Sequence, residues 1–200
     1  MIAVIDYGVG NLFSLVHSLR KVGADSVVTS DKEQILRADK LILPGVGAFG
    51  DAARRLKDSG LDEVIKAECA SGKPLLGICL GMQLLFNKSY EYGDHCGLGL
   101  IKGEVVPLAD YVKGLKIPHM GWNSLEFADE NPLFKNLKDG SYVYFVHSYF
   151  AKCSEGLSAT TDYGIKVTAA VRKGNVYGVQ FHPEKSGDNG LEILKAFSEI

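Results

Sequence analysis

The stretch Pro74-Leu75-Leu76-Gly77-Ile78-Cys79-Leu80-Gly81-Met82-Gln83-Leu84-Leu85-Phe86 decides the fold. Residues 74–78 form a short apolar run of strand length, and a helical run over 82–86 follows with only the turn at Gly81 between them. A strand with no polar position has no solvated face, so it belongs inside a sheet covered on both sides. The same unit recurs upstream. Residues 2–5 form an apolar, β-branched strand, Gly8-Val9-Gly10-Asn11 a turn, and Leu12, Leu15, Val16, Leu19 and Val22 fall at helical spacing. Val27 and Val28 predict a second strand, and Ser30 with Glu33 a capping box opening a helix over 31–37. A strand over 41–43 and helices over 48–57 and 61–70 complete the first half. Strands alternating with helices imply a parallel sheet with helices on both faces.

The second half changes character. Strand-like runs occur at 98–106, 142–149, 156–161, 167–172 and 176–181, with few helical patterns between them, and a closing helix is predicted over 191–197 from a start near Asp188 or Asn189. No linker, repeat or low-complexity tract interrupts the 200 residues, so one α/β domain is expected, its sheet extended by an antiparallel portion. With 46% hydrophobic residues, a chain of this length buries roughly 70% of its unfolded surface and needs no staples. Twenty-two Lys+Arg against 24 Asp+Glu leave no basic field for a phosphate backbone, which argues against nucleic acid. No apolar run approaches a membrane span and no signal-peptide pattern is visible, so a cytoplasmic protein with no membrane association is expected. Cys69, Cys79, Cys96 and Cys153 are scattered without a C-x-x-C pair, which predicts neither a disulfide framework nor a metal site.

Open α/β sheets place ligands at the carboxyl ends of their strands, and three such ends carry unusual residues. Gly77-Ile78-Cys79-Leu80-Gly81 reproduces the nucleophile-elbow pattern with Cys in place of Ser. The flanking glycines let a sharp turn close, and a thiol at a helix start is favoured as thiolate. At the end of the strand over 176–181 stands Phe181-His182-Pro183-Glu184. Pro183 biases His182 to an extended backbone, where residues two apart share a side, so Glu184 can orient one imidazole nitrogen and leave the other for a nucleophile. The third is Pro44-Gly45-Val46-Gly47-Ala48-Phe49-Gly50. It contains G-x-G-x-x-G, but behind a proline and with Asp62 and Glu63 at a helix start, so a dinucleotide site is disfavoured. Its backbone N–H groups suit an oxyanion facing the nucleophile.

These motifs resemble the class I (triad) glutamine amidotransferases over essentially the whole chain. Residues 5–12, 43–47, 77–85, 118–123, 145–149 and 178–184 carry the resemblance. The opening Ile5-Asp6-Tyr7-Gly8-Val9-Gly10-Asn11-Leu12 and the block Pro118-His119-Met120-Gly121-Trp122-Asn123 mark the histidine-pathway branch. The resemblance implies a flavodoxin-like open sheet and an L-glutamine hydrolase without cofactor or metal, with Cys79, His182 and Glu184 as catalytic residues. It implies an oxyanion hole at Val46 and Leu80 and substrate contacts from Gly47, Gln83, Glu91, Ser148 and Tyr149. It also implies a heterodimer with a (β/α)8 barrel cyclase that receives the ammonia, with Asn11, Trp122, Tyr144 and Lys185 at or near the interface. The alternatives are the glutaminase of another class I amidotransferase, of pyridoxal phosphate synthesis or a purine pathway, and a regulatory module of the same fold without turnover.

Overall fold

The structure, a computed structural model, describes all residues from Met1 to Ile200. The first half runs β1 (Ile2–Ile5), α1 (Leu12–Lys21), β2 (Ser26–Thr29), α2 (Lys32–Arg37), β3 (Lys40–Leu43), α3 (Phe49–Ser59), α4 (Leu61–Ala70), β4 (Leu75–Ile78) and α5 (Leu80–Gln83). There follow β5 (Lys88–Ser89), β6 (His95–Cys96), β7 (Gly103–Pro107), β8 (His119–Ser124), β9 (Glu126–Phe127), β10 (Tyr142–His147) and β11 (Tyr149–Cys153). The chain closes with β12 (Leu157–Asp162), β13 (Lys166–Lys173), β14 (Val176–Val179) and α6 (Gly187–Ser198).

Eight strands form the central sheet in the order β2-β1-β3-β4-β14-β13-β12-β9. The five from β2 to β14 are mutually parallel and the remaining three continue antiparallel, as the patterning predicts. Strand periodicity sorts the core into two layers. Ala3, Ile5, Leu41, Leu43 and Leu75 pack on one face with Ile35, Ala52, Leu56 and Ile65 of α2, α3 and α4. Ile2, Val4, Ile42, Leu76 and Ile78 face the other way, against Leu15 and Leu19 of α1 and Ile193, Leu194 and Phe197 of α6.

Several local expectations are corrected. Asp31, not Ser30, caps α2: its Oδ1 accepts from the N–H of Glu33 at 2.8 Å, because the helix starts at Lys32 and the Asp31 carboxylate stands beside the first free N–H groups. The strand expected over 98–106 begins only at Gly103. The N–H groups of Leu98, Leu100 and Ile101 instead donate to the carbonyls of Leu84 and Leu85 at the end of the elbow helix, which leaves nothing for a strand ladder. That helix is itself a single turn. The run 142–149 divides at Ser148 into β10 and β11, which belong to different sheets. The strand expected to reach Phe181 ends at Val179, and the closing helix starts at Gly187. Strand β8 comes from the block at 118–123 and pairs antiparallel with β10, setting Trp122 opposite Tyr144 and His119 opposite His147.

Candidate active site

Strands β4 and β14 are neighbours, so the two chemically distinctive strand ends are delivered side by side. Cys79 takes φ +55 and ψ −110, a conformation that L-residues seldom adopt, and its N–H donates to the carbonyl of Val179 at 2.8 Å. The elbow requires its glycines. A Cβ at Gly77 would meet the carbonyl oxygen of Gly81 at 2.7 Å. Because α5 is one turn long, a large helix dipole at the thiol is not available. What remains is the set of backbone N–H groups that begin the turn.

His182 follows β14 and is held by its backbone. Its N–H donates to the carbonyl of Tyr144 at 2.9 Å, its carbonyl accepts from Ser186 Oγ at 2.6 Å, and Ser186 Oγ accepts from the N–H of Tyr144. Imidazole Nδ1 lies 2.8 Å from Glu184 Oε1, and both side chains are buried. A carboxylate only accepts, so Nδ1 carries the hydrogen and Nε2 is left toward Cys79. Burial pulls the His182 pKa down, but hydrogen bonds to Cys79 and Glu184 and the charges of both outweigh it and raise the pKa to about 10. The imidazolium is therefore the stable form at neutral pH. The second oxygen, Glu184 Oε2, is buried and has no partner.

Cys79 and His182 open into a cavity of about 310 Å³ that also brings together Val46, Gly47, Leu80, Gln83, Glu91, Ser148 and Tyr149. Every residue expected at the oxyanion hole or the substrate pocket lines this one space, although they come from four separated segments. The backbone before the pocket loop is fixed by Tyr7, whose hydroxyl donates to the carbonyl of Pro44 at 2.7 Å. Glu91 Oε2 accepts from the N–H of Phe49 at 2.6 Å, which ties the 90s loop to the start of α3, and partial burial raises the pKa of its carboxyl. Gln83 is more committed than its sequence role implies, since Nε2 donates both to the carbonyl of Tyr149 (3.0 Å) and to Gln180 Oε1 (2.9 Å).

Sequence reasoning passes over Gln180, Pro118, Val146 and His147. Gln180 is fully buried beneath the nucleophile, with Nε2 3.7 Å from Cys79 Sγ. Its signal was a lone polar residue between Val179 and Phe181 in an apolar strand. Pro118, Val146 and His147 complete the cavity wall. Of the expected interface residues, three meet: Trp122 packs edge-on against Tyr144 at 6.2 Å between ring centroids, and Lys185 Nζ lies 5.9 Å from the Tyr144 ring. Trp122 is 55% exposed and Met120, on the same side of β8, is 61% exposed. Asn11 precedes α1, which packs against the turn at Pro183–Lys185; its side chain makes no capping bond. No three His, Cys, Asp or Glu side chains are grouped so as to hold a metal ion, and no helix is long and apolar enough to cross a membrane.

A cysteine elbow facing an imidazole–carboxylate pair, at the carboxyl ends of adjacent parallel strands, agrees with a family match over residues 3–199 to glutamine amidotransferase class-I. The chain belongs to the class-I glutamine amidotransferases. It is 54% identical over 201 residues to the imidazole glycerol phosphate synthase subunit HisH of Bacillus cereus strain G9842, covering 100% of this chain and 95% of that protein. It is 51% identical to the subunit of the same name from Sulfurimonas denitrificans, covering 98% of it. Within the family it therefore belongs with the glutaminase subunits of imidazole glycerol phosphate synthase, enzymes of histidine biosynthesis. A crystal structure of a glutamine amidotransferase superposes over the full length of both chains with a TM-score of 0.78 at 20% identity, a likeness of fold.

Proposed function

We propose that Cys79, His182 and Glu184 act as the triad of this glutaminase. The thiolate Sγ attacks the side-chain amide carbon of L-glutamine, and His182 passes the Nε2 proton to the departing nitrogen, releasing ammonia and leaving a γ-glutamyl thioester on Cys79. Neutral His182 then takes a proton from water, which adds to the thioester, and collapse of the adduct returns glutamate and the thiolate. Glu184 orients the ring and balances the imidazolium. The N–H groups of Leu80 and Val46 receive both tetrahedral oxyanions, and loss of one such donor typically costs on the order of 100-fold or more. Gly47, Gln83, Glu91 and the backbone at Ser148 and Tyr149 hold the glutamine, the Glu91 carboxylate suiting the α-ammonium.

Released into water near neutral pH, ammonia is mostly protonated and no longer a nucleophile, so a donor of this kind delivers it through protein. The partner in this reading is a (β/α)8 barrel cyclase, joined as a heterodimer, which uses the ammonia to form imidazole glycerol phosphate and AICAR. The exposed Met120 and Trp122 on the β8–β10 ribbon, with Tyr144, Lys185 and Asn11 at the same end of the sheet, form its docking face. The two core layers share one sheet, in keeping with one domain over residues 1–200. Four unpaired thiols suit the reducing cytoplasm.

The observation that carries this reading is the cavity itself, into which Cys79 and His182 open alongside every proposed substrate contact. The test is Cys79→Ala assayed with the cyclase. Glutamine-dependent synthesis is lost while ammonium-dependent synthesis persists. Loss of both would mean that this site takes part in the cyclase chemistry.

A further inference from the structure

A second pair of side chains, one of them in the cavity wall and the other behind it, is arranged as tightly as the triad. His119 and His147 lie opposite each other on β8 and β10, both buried, with His119 Nδ1 3.0 Å from His147 Nε2. His147 Nδ1 lies 2.9 Å from the carbonyl oxygen of Tyr149, and His119 Nε2 lies 3.2 Å from Asn123 Nδ2. The His119 ring is sandwiched between Phe145, at 4.7 Å between centroids, and Tyr163, at 4.0 Å.

The hydrogens in this chain are determined from both ends. A carbonyl oxygen only accepts, so His147 Nδ1 carries a hydrogen and donates it to Tyr149. A neutral ring then has a bare Nε2, which must accept, so His119 Nδ1 donates and His119 Nε2 is bare in turn. Independently, Asn123 Oδ1 accepts from the N–H of Ser124 at 2.9 Å and Nδ2 donates to the carbonyl of Asp162 at 2.8 Å, which fixes the orientation of the amide and presents Nδ2, a donor, to His119 Nε2. The two ends demand the same tautomer at each ring. Burial holds both rings neutral, lowering the pKa of His119 to about 4 and of His147 to about 3, the latter helped by the neighbouring His119.

The receiving atom matters. The Tyr149 carbonyl also accepts from Gln83 Nε2, and Gln83 continues through Gln180 to Cys79 Sγ. Ser148 and Tyr149 wall the cavity at the point where the chain leaves β10 for β11, a junction with no partner from the β8–β10 ladder to set its direction. We propose that His119 is a positioning residue for the glutaminase: it fixes the tautomer of His147, whose Nδ1–H, with Gln83, locks the Tyr149 carbonyl and so the wall that grips the substrate. This rests on the reading of the cavity as the glutamine site. Without the His119 donor, His147 can place its hydrogen on Nε2 and turn a bare Nδ1 toward the carbonyl, converting an attraction into a repulsion.

The test uses the complex with the cyclase. Imidazole nitrogen NMR of the wild-type complex at pH 7 shows both rings neutral, with hydrogen on Nδ1 and none on Nε2; hydrogen on Nε2 of either ring, or on both nitrogens, overturns the proposal. In steady-state glutamine hydrolysis, His119→Leu raises KM about tenfold, the worth of roughly one lost hydrogen bond, with kcat within about twofold. His119→Asn, whose Nδ2–H can stand in for Nδ1–H, recovers most of that loss. Equal behaviour of the two variants, or a fall in kcat with KM unchanged, overturns it. Should His119→Leu fail to fold, the wild-type spectrum and the KM of His119→Asn, within about threefold of wild type, decide. A wild-type complex without glutaminase activity, or a Cys79→Ala complex that keeps it, would instead refute the reading of the site.

Discussion

The α-carbon of Gly81 is pressed so closely on the end of β3 that a Cβ there would stand 1.8 Å from the carbonyl oxygen of Leu43. Gly81 closes the elbow that carries Cys79, and Leu43 begins the chain into the Pro44-Gly45-Val46-Gly47 loop. The contact therefore sets the distance between Cys79 and the loop at Val46–Gly47, proposed above as nucleophile and oxyanion donor. Gly81→Ala must push the two apart. The variant is expected to be less stable by about 2–3 kcal/mol in denaturant unfolding, within the range of overpacking changes, and to lose glutaminase activity at temperatures where it remains folded.

The raised pKa of His182 gives a pH dependence of definite sign. The folded state holds this proton more tightly than the unfolded chain, so its contribution to stability is full below about 6.5, the ordinary value, and is lost as pH rises through about 10. Glu184→Gln removes a hydrogen bond and a charge that raise it. In the variant the His182 resonance titrates at lower pH and the loss of stability between pH 6.5 and 10 shrinks. Its kcat is expected to fall on the order of 100-fold or more, the usual worth of well-placed acid–base catalysis. Unchanged titration of His182 would mean that Glu184 does not hold the ring.

Most of the fold was legible because the first half of the chain is built from locally consistent signals. Apolar strands, tight turns and helical spacing coincide at β1, β3 and β4, and α4 falls on the predicted residues. The grouping of Cys79 with His182 and Glu184 was legible for the same reason, since they sit in short motifs at strand ends. The ribbon was not. Residues 118–123 mix Pro, His, Gly and Asn, and their extended form is imposed by pairing with β10 rather than by propensity. Ser148 is likewise invisible as a junction, because the run 142–149 keeps its strand-like composition while its partners change. Gln180 and His147 lie in quoted motifs, but their roles depend on hydrogen bonds between residues far apart in the chain, to Gln83, Cys79 and His119, which sequence spacing does not reveal.

Gln180 is expected to tolerate substitution poorly. Gln180→Leu removes the acceptor for one Gln83 Nε2 hydrogen and a donor 3.7 Å from Cys79 Sγ. A buried donor left without a partner costs about 1–3 kcal/mol, visible as a lowered denaturation midpoint, and alkylation of Cys79 by iodoacetamide should change in rate because the amide beside the sulfur is gone. A variant with wild-type midpoint and alkylation rate would show that the contact contributes nothing.

The neutral histidine pair predicts the opposite pH response to that of His182. Here the folded pKa values lie below 6.5, so the contribution is present above about 6.5 and disappears as pH falls toward 4 and then 3. His119→Asn has one fewer group to protonate. Its stability should fall less between pH 6 and 4 than that of the wild type, measured as the difference in urea midpoint. An identical fall would show that His119 is not held neutral by the fold.

The most direct test of the central claim is labelling by a glutamine-like diazoketone, with the modified residue identified by peptide mass spectrometry in the presence and absence of the proposed cyclase partner. One equivalent is expected on Cys79, slowly in the isolated chain, since a donor without its acceptor would waste glutamine, and faster once the cyclase is bound. Labelling at another residue, or none on Cys79 with the partner bound, would contradict the assignment of the nucleophile and with it the glutaminase site.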